Sequence, residues 1–113
     1  MKIAVCAGEK SGDALGYELL YDLNKNNKNI EIIGVGGTLM ESLGLKSYFP
    51  IKEISYMGLV DPLMNLNKIL KIRKNFINYL KKENPDIFIG IDSPSFNSGI
   101  CKALRKDTDI KTV

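Results

Sequence analysis

The chain has 113 residues, 44% of them hydrophobic, a formal charge of +3 and no histidine. That is one modest domain with a real core, and an isoelectric point near 8.8 is a mild basic excess, not the extreme of a nucleic-acid binder. Without histidine, a general base at neutral pH must be a carboxylate, or a lysine or cysteine with a shifted pKa. Cys6 and Cys101 form no C-x-x-C pair, so neither a zinc site nor a disulfide framework is suggested.

The N-terminus is too short in apolar residues for a signal peptide, and no run reaches bilayer-spanning length. A cytoplasmic protein is expected, unless a surface feature holds it to a membrane. Lys2 to Ala7 is apolar on both faces, as a strand covered by helices on each side would be. From Ser11 or Gly12 to about Leu23, the leucines at 15, 19, 20 and 23 recur at helical spacing, and "NKNNKN" stops the run. The second strand is "IEIIGVG", followed by a short helix through Leu39, Met40 and Leu43 that Gly44 closes. Residues 45–58 read as a short strand and irregular loop, because Pro50 and Gly58 interrupt the apolar pattern.

From about Leu63 to Lys82 the sequence follows the spacing of the longest amphipathic helix, ended near Asn84 and Pro85. Then "DIFIGID" gives a strand, "SPSFN" a loop, "SGICKALRK" a helix and "IKTV" a last strand. This alternation implies right-handed crossovers in an α/β fold, an open parallel Rossmann-like sheet with helices on both faces, spanning 1–113 as one domain. A strand with no helix after it at Val113 suggests the front of a longer protein.

Ligands of such sheets bind beyond the carboxyl ends of the strands. Three turns converge there: "GEKSGD" after the first strand, "GVGG" after the second and "GIDSPSFN" after the "DIFIGID" strand. Gly8, Gly12 and Gly16 are not the G-x-G-x-x-G of dinucleotide sites, which disfavours a nicotinamide cofactor. Gly8 suits a tight turn; Gly12 and Gly16 share a helix face and permit close packing. Ser11 or Asp13 could cap that helix, and Glu9 and Ser11 stand open between ligand contact and turn chemistry. Gly36 and Gly37 of "GVGG" can offer backbone N–H groups to an anion, or simply make the turn.

Asp92 is the foremost catalytic candidate: it ends an apolar strand where burial tunes carboxylates toward acid–base work, and Pro94 is expected to hold the next segment away from helical geometry. A capping or ion-pairing aspartate is the competing reading, and Asn97 is a candidate helix N-cap. On the long helix, Lys68, Lys71, Arg73, Lys74, Lys81 and Lys82 accompany a broad apolar face. Val60, Leu63, Met64, Leu66, Ile69 and Leu70 could lie in an anionic membrane interface, or pack into the core like any amphipathic face.

Together, "AGEKSGDALG", "GVGGTLM", "ISYMGLVDPL", "KIRK" and "NPDIFIGIDSPSFN" closely resemble, in order and spacing, the amino-terminal part of the lipid-A-disaccharide synthase family. The resemblance implies the amino-terminal half of a GT-B glycosyltransferase, two Rossmann-like domains facing a cleft, with this half holding the acceptor. It implies transfer of diacylated glucosamine from UDP to the 6-hydroxyl of an acylated glucosamine 1-phosphate lipid, with inversion and with no metal or redox cofactor. Asp92 matches the family's essential aspartate and takes the role of base; Glu9, Ser11, Gly36, Gly37 and Asn97 become substrate-binding positions. The 60–70 surface matches a membrane-docking region, implying peripheral attachment to an anionic membrane at the cytoplasmic face of the inner membrane. The UDP-sugar donor would be gripped by a carboxyl-terminal domain absent here, and no nucleic acid is implied. Two departures stand out: Lys10 replaces a common alanine, and Ser95 a common aspartate near Asp92. The rival reading is a noncatalytic membrane-surface or small-ligand-binding module on the same half-fold.

Overall fold

In the computed structural model, which describes residues 1–26, 29–51 and 66–113, the chain opens on β1 (Lys2–Ala7) and turns through Gly8 and Glu9 into α1 (Lys10–Asn26). It continues through β2 (Glu31–Val35), α2 (Thr38–Glu41), β3 (Lys46–Ser47), α3 (Leu66–Glu83), β4 (Ile87–Ile91), α4 (Pro94–Asp107) and β5 (Lys111–Thr112). The strands pair in parallel in the order β3-β2-β1-β4-β5. β1 therefore lies between β2, reached through α1, and β4, reached from the far edge of the sheet; this reversal of strand order is where a crevice opens at the carboxyl ends.

Period-two alternation divides the core between the two sheet faces. Ile3, Val5 and Ala7 of β1 join Leu20, Met40 and Leu45 under α1 and α2. Ala4 and Cys6 join Phe76, Leu80, Phe88 and Ile100 under α3 and α4. The second layer is aromatic: Phe49, Phe76 and Phe88 meet edge to face, and Tyr48 stacks on Tyr79 with ring centroids 4.4 Å apart. Full burial of each such ring stabilises the fold by about 1.5–3 kcal/mol. Cys6 is fully buried, and burial, with the negative charge of Asp92 adding to it, pushes its thiol far above the ordinary range. It cannot be the shifted-pKa base that the lack of histidine left open.

Two local expectations change. Pro94 does not hold the chain away from a helix; it begins α4, where its fixed φ suits the first helical position and its missing N–H costs nothing. Most of "SPSFN" is consequently helical, and the residues displaced from right-handed geometry are the two before the proline, Asp92 (φ 52°) and Ser93 (φ 41°). On α1, Leu15 and Leu19 are exposed and the buried face is Gly12, Asp13, Gly16 and Leu20. Gly12 and Gly16 let the helix settle close to the sheet, as their shared face implied, and of the four leucines Leu20 is buried and Leu23 packs partly against the core. At the end of α3, Asn84 takes the left-handed cap conformation (φ 48°) and returns its N–H to the Leu80 carbonyl at 2.9 Å.

Candidate active site

The register builds the site. Ala7 pairs with Ile91, so the next residues, Gly8 and Asp92, leave the sheet side by side. The Gly8 amide donates to Asp92 Oδ1 at 2.7 Å. One turn into α1, Gly12 presents its bare Cα to the other carboxylate oxygen; any Cβ there would strike Asp92 Oδ2, and one on Gly8 would strike Ser93 Oγ. Oδ2 itself is buried and has no hydrogen-bond partner among the described residues. The glycines after β1 thus make room for an acid delivered by β4, the convergence expected from the sequence. Asp92 does not cap α4: the N-cap position belongs to Ser93, whose side chain makes no capping bond either.

Two successive non-glycine residues in the left-handed region cost roughly 1–2 kcal/mol each. Asn97 ties this turn to the strand ends. It is the fourth residue of α4 and is buried, and its Nδ2 lies 2.9 Å from the Asp92 carbonyl, 3.2 Å from that of Cys6 and 3.4 Å from that of Ile91. Gly90 lies directly beneath it: a Cβ there would come within 2.9 Å of the Asn97 Cβ. The cap expected at Asn97 is therefore replaced by a clamp across the ends of β1 and β4, because the helix begins four residues earlier than the sequence pattern suggested.

Asp13, weighed as a cap for its own helix, instead caps another. Its Oδ1 accepts the Gly37 amide at 2.9 Å and that of Met40 at 3.1 Å, and its Oδ2 accepts that of Leu39 at 3.0 Å. The buried carboxylate thereby satisfies the first turn of α2. Ser47 occupies Gly36 in both directions, accepting its N–H at 3.1 Å and donating to its carbonyl at 2.6 Å. The N–H groups of Gly36 and Gly37 are thus already engaged and not open to an anion, contrary to that expectation. Both glycines do line a cleft of about 550 Å³ with Lys10, Asp13, Pro50 and Ile51. Asp92 does not line it; the first turn of α1 stands between, with Gly12 against Asp92 and Asp13 against Gly37. Glu9 and Ser11 are exposed on that turn, and the Glu9 carbonyl accepts the Asp13 amide at 3.1 Å.

On α3, Arg73 is half-buried; its guanidinium covers Gly99 and its Nη1 lies 3.4 Å from the Ser95 carbonyl, so this member of the basic series ties α3 to α4. Ile69 packs against the core, whereas Leu70 is 40% exposed. Val60, Leu63 and Met64 lie outside the described residues, as does the side chain of Leu66. Among the described residues no helix is long and apolar enough to cross a membrane.

An open parallel sheet with a glycine turn and an acid meeting at its point of reversal is a Rossmann-like α/β domain of the kind that binds ligands at the carboxyl edge. Residues 3–113 match the lipid-A-disaccharide synthetase family, and the chain belongs to that family. It is 50% identical over 113 residues to the lipid-A-disaccharide synthase of Pseudomonas fluorescens (strain Pf0-1), covering all of this chain and 30% of that protein. The enzyme of the same name from Pseudomonas putida (strain F1) is 49% identical over 111 residues, 98% of this chain and 29% of its own. That of Idiomarina loihiensis is 46% identical over 105 residues, 93% and 28% respectively. The chain thus spans about three-tenths of the length of these curated relatives and corresponds to their amino-terminal part.

Proposed function

We propose that these residues form the acceptor-side domain of an inverting glycosyltransferase of lipid A biosynthesis, with Asp92 as the base. The donor is UDP-2,3-diacylglucosamine and the acceptor 2,3-diacylglucosamine 1-phosphate. The observation that carries the reading is the Asp92 carboxylate itself: one oxygen fixed by the Gly8 amide, the other buried beside Gly12 with no partner among the described residues. The Gly8 amide fixes one oxygen, and the other has no protein donor among the described residues to compete for the proton it would accept.

In the reaction, the acceptor 6-hydroxyl oxygen bonds to the donor anomeric carbon as the bond from that carbon to the UDP oxygen breaks. The hydroxyl proton passes to Asp92, and UDP leaves with the bonding electrons. Glu9 and Ser11, exposed at the mouth of α1, contact the acceptor sugar. Gly36 and Gly37 shape the adjoining cleft wall and leave their amides to Ser47 and Asp13. The donor nucleotide is held by residues outside this chain. The acyl chains call for an apolar surface, and Leu70 with the basic residues of α3 offers one to an anionic membrane, on the cytoplasmic side of the inner membrane.

The test is Asp92→Asn in a polypeptide of the relatives' full length, assayed for disaccharide formed from the two lipid substrates. Loss of a general base costs about 10²–10⁴-fold in turnover, and acceptor binding and the unfolding transition should not change. Turnover within tenfold of the parent would overturn the assignment of Asp92.

A further inference from the structure

We infer that Asn97 is a positioning residue for the reaction: its carboxamide holds Asp92 in the left-handed conformation that aims the carboxylate across Gly8 and Gly12. The inference rests on the reading of Asp92 as base. The carboxamide orientation follows from its surroundings, since only an NH₂ group can face the three carbonyls of Cys6, Ile91 and Asp92. These carbonyls belong to the penultimate residue of β1, the last residue of β4 and Asp92 itself, so one side chain ties both strands to the residue that leaves them. Asn97 Oδ1 is buried without a partner among the described residues, so the side chain is held in place by its donor half and by contact with Gly90. A buried amide kept at this cost lies against the turn in which Asp92 and Ser93 both stand in the left-handed region.

A clamp acting through electrostatics orders its variants. Asn97→Ser keeps one donor, Asn97→Ala keeps none, and the near-isosteric Asn97→Asp turns an oxygen toward three oxygens. The expected order of turnover is parent, Ser, Ala, Asp. Displacing a reacting group by about 1 Å costs about a hundredfold, so Asn97→Ala should lower kcat about 10- to 100-fold, with both KM values within about threefold.

The experiment is a double-mutant cycle in the full-length protein, with amide exchange measured on the same variants. In the parent background Asn97→Ala should show that loss; in an Asp92→Asn background the same change should alter residual kcat less than about twofold, because a residue acting only through Asp92 has nothing left to position. Equal losses in both backgrounds would reduce Asn97 to a structural residue and overturn the inference. The Gly8 amide, which donates to Asp92 Oδ1, should exchange at least about tenfold faster in Asn97→Ala while the Val5 amide is unchanged. Unchanged Gly8 exchange, or parental kcat in Asn97→Asp, would likewise overturn it. Should Asn97→Ala not fold, Asn97→Ser carries the cycle with a smaller loss of the same pattern. Full turnover in Asp92→Asn alone would instead remove the base reading, while the exchange result would still decide whether Asn97 holds the turn.

Discussion

Gly12 and Asp92 are 80 positions apart in sequence and touch in the fold, the glycine's missing Cβ leaving the space that the Asp92 carboxylate occupies. A methyl group at Gly12 would meet Asp92 Oδ2 and would come within 3.2 Å of the Ala7 Cβ; one at Gly16 would meet the flexible end of Met40. Alanine gains about 1 kcal/mol over glycine in a helix, and overpacking costs about 1–3 kcal/mol. Gly12→Ala should therefore lose no more than about 2 kcal/mol of stability in urea unfolding, yet lower disaccharide synthesis about a hundredfold by displacing the carboxylate. In Gly16→Ala the thioether can yield, so stability should stay within about 1 kcal/mol of the parent and turnover within about threefold. Equal activity of the two variants would contradict the role given to the Gly12 gap.

Asp13 supports the structure through three amides of another helix. Asp13→Ala leaves those of Gly37, Leu39 and Met40 without their partner, and the Met40 bond is buried. Capping losses of about 0.5–2 kcal/mol, increased by an unsatisfied buried donor, give an expected destabilisation of about 2–3 kcal/mol. Asn at this position would not rescue it: the carboxamide has one oxygen where two accept, and its NH₂ would face an amide N–H. Urea unfolding of Asp13→Ala and Asp13→Asn should show both well below the parent, with Asn recovering less than half the difference.

Much of this architecture was legible in the chain because parallel strands buried on both faces are continuous apolar runs: "KIAVCA" marks β1 residue for residue, and "DIFIGID" contains β4. The meeting of Asp92 with the turn after β1 was legible too, since topology alone brings those strand ends together. On α1 the close packing of Gly12 and Gly16 was legible as a shared small face, but the leucine periodicity did not tell the buried Leu20 from the exposed Leu15 and Leu19, and nothing marked Asp13 as buried. The roles of Asp13 and Asn97 were hidden for another reason. The partners of Asp13, Gly37 to Met40, lie 24 to 27 residues away, and Asn97 reaches Cys6, 91 residues away, as well as Asp92 and Ile91; a capping side chain looks the same in sequence whatever it bonds. The left-handed turn at Asp92 and Ser93 had one readable cue, Pro94, which constrains the residue before it more than those after it.

The α3–α4 ion pair predicts an acid-side dependence. Lys81 Nζ donates to Asp107 Oδ2 at 2.8 Å, and that bond holds the Asp107 carboxyl below its ordinary value of 3.8. A carboxyl whose pKa is lower folded than unfolded stabilises the fold above the unfolded value and loses that contribution as pH falls through the folded one. The stability difference between parent and Asp107→Asn should be present at pH 6 and should close as the pH drops below about 3.8. High salt at pH 6 should also shrink it, because the pair is exposed. A difference that persisted at pH 2.5 in matched urea titrations would show that Asp107 acts through something other than this charge.

Ile69 and Leu70 separate the two uses of an amphipathic helix. Ile69 packs on the core, while Leu70 stands 40% exposed on a helix carrying Lys68, Lys71 and Lys74. If the outer face of α3 lies on an anionic membrane, Leu70→Gln should weaken flotation with phosphatidylglycerol-containing vesicles and leave the unfolding midpoint in place. Removing one exposed leucine from the interface should cost up to about 1.5–3 kcal/mol of partitioning, around tenfold or more in the binding constant, and raising salt should weaken both proteins together. Ile69→Gln should do the reverse, lowering the unfolding midpoint by setting a polar group in a partly buried position against the core while the folded protein floats as the parent does. Flotation unaffected by Leu70→Gln, or equally poor on neutral and anionic vesicles for the parent, would return this helix to an ordinary role, its apolar side spent on the core and its lysines on solvent.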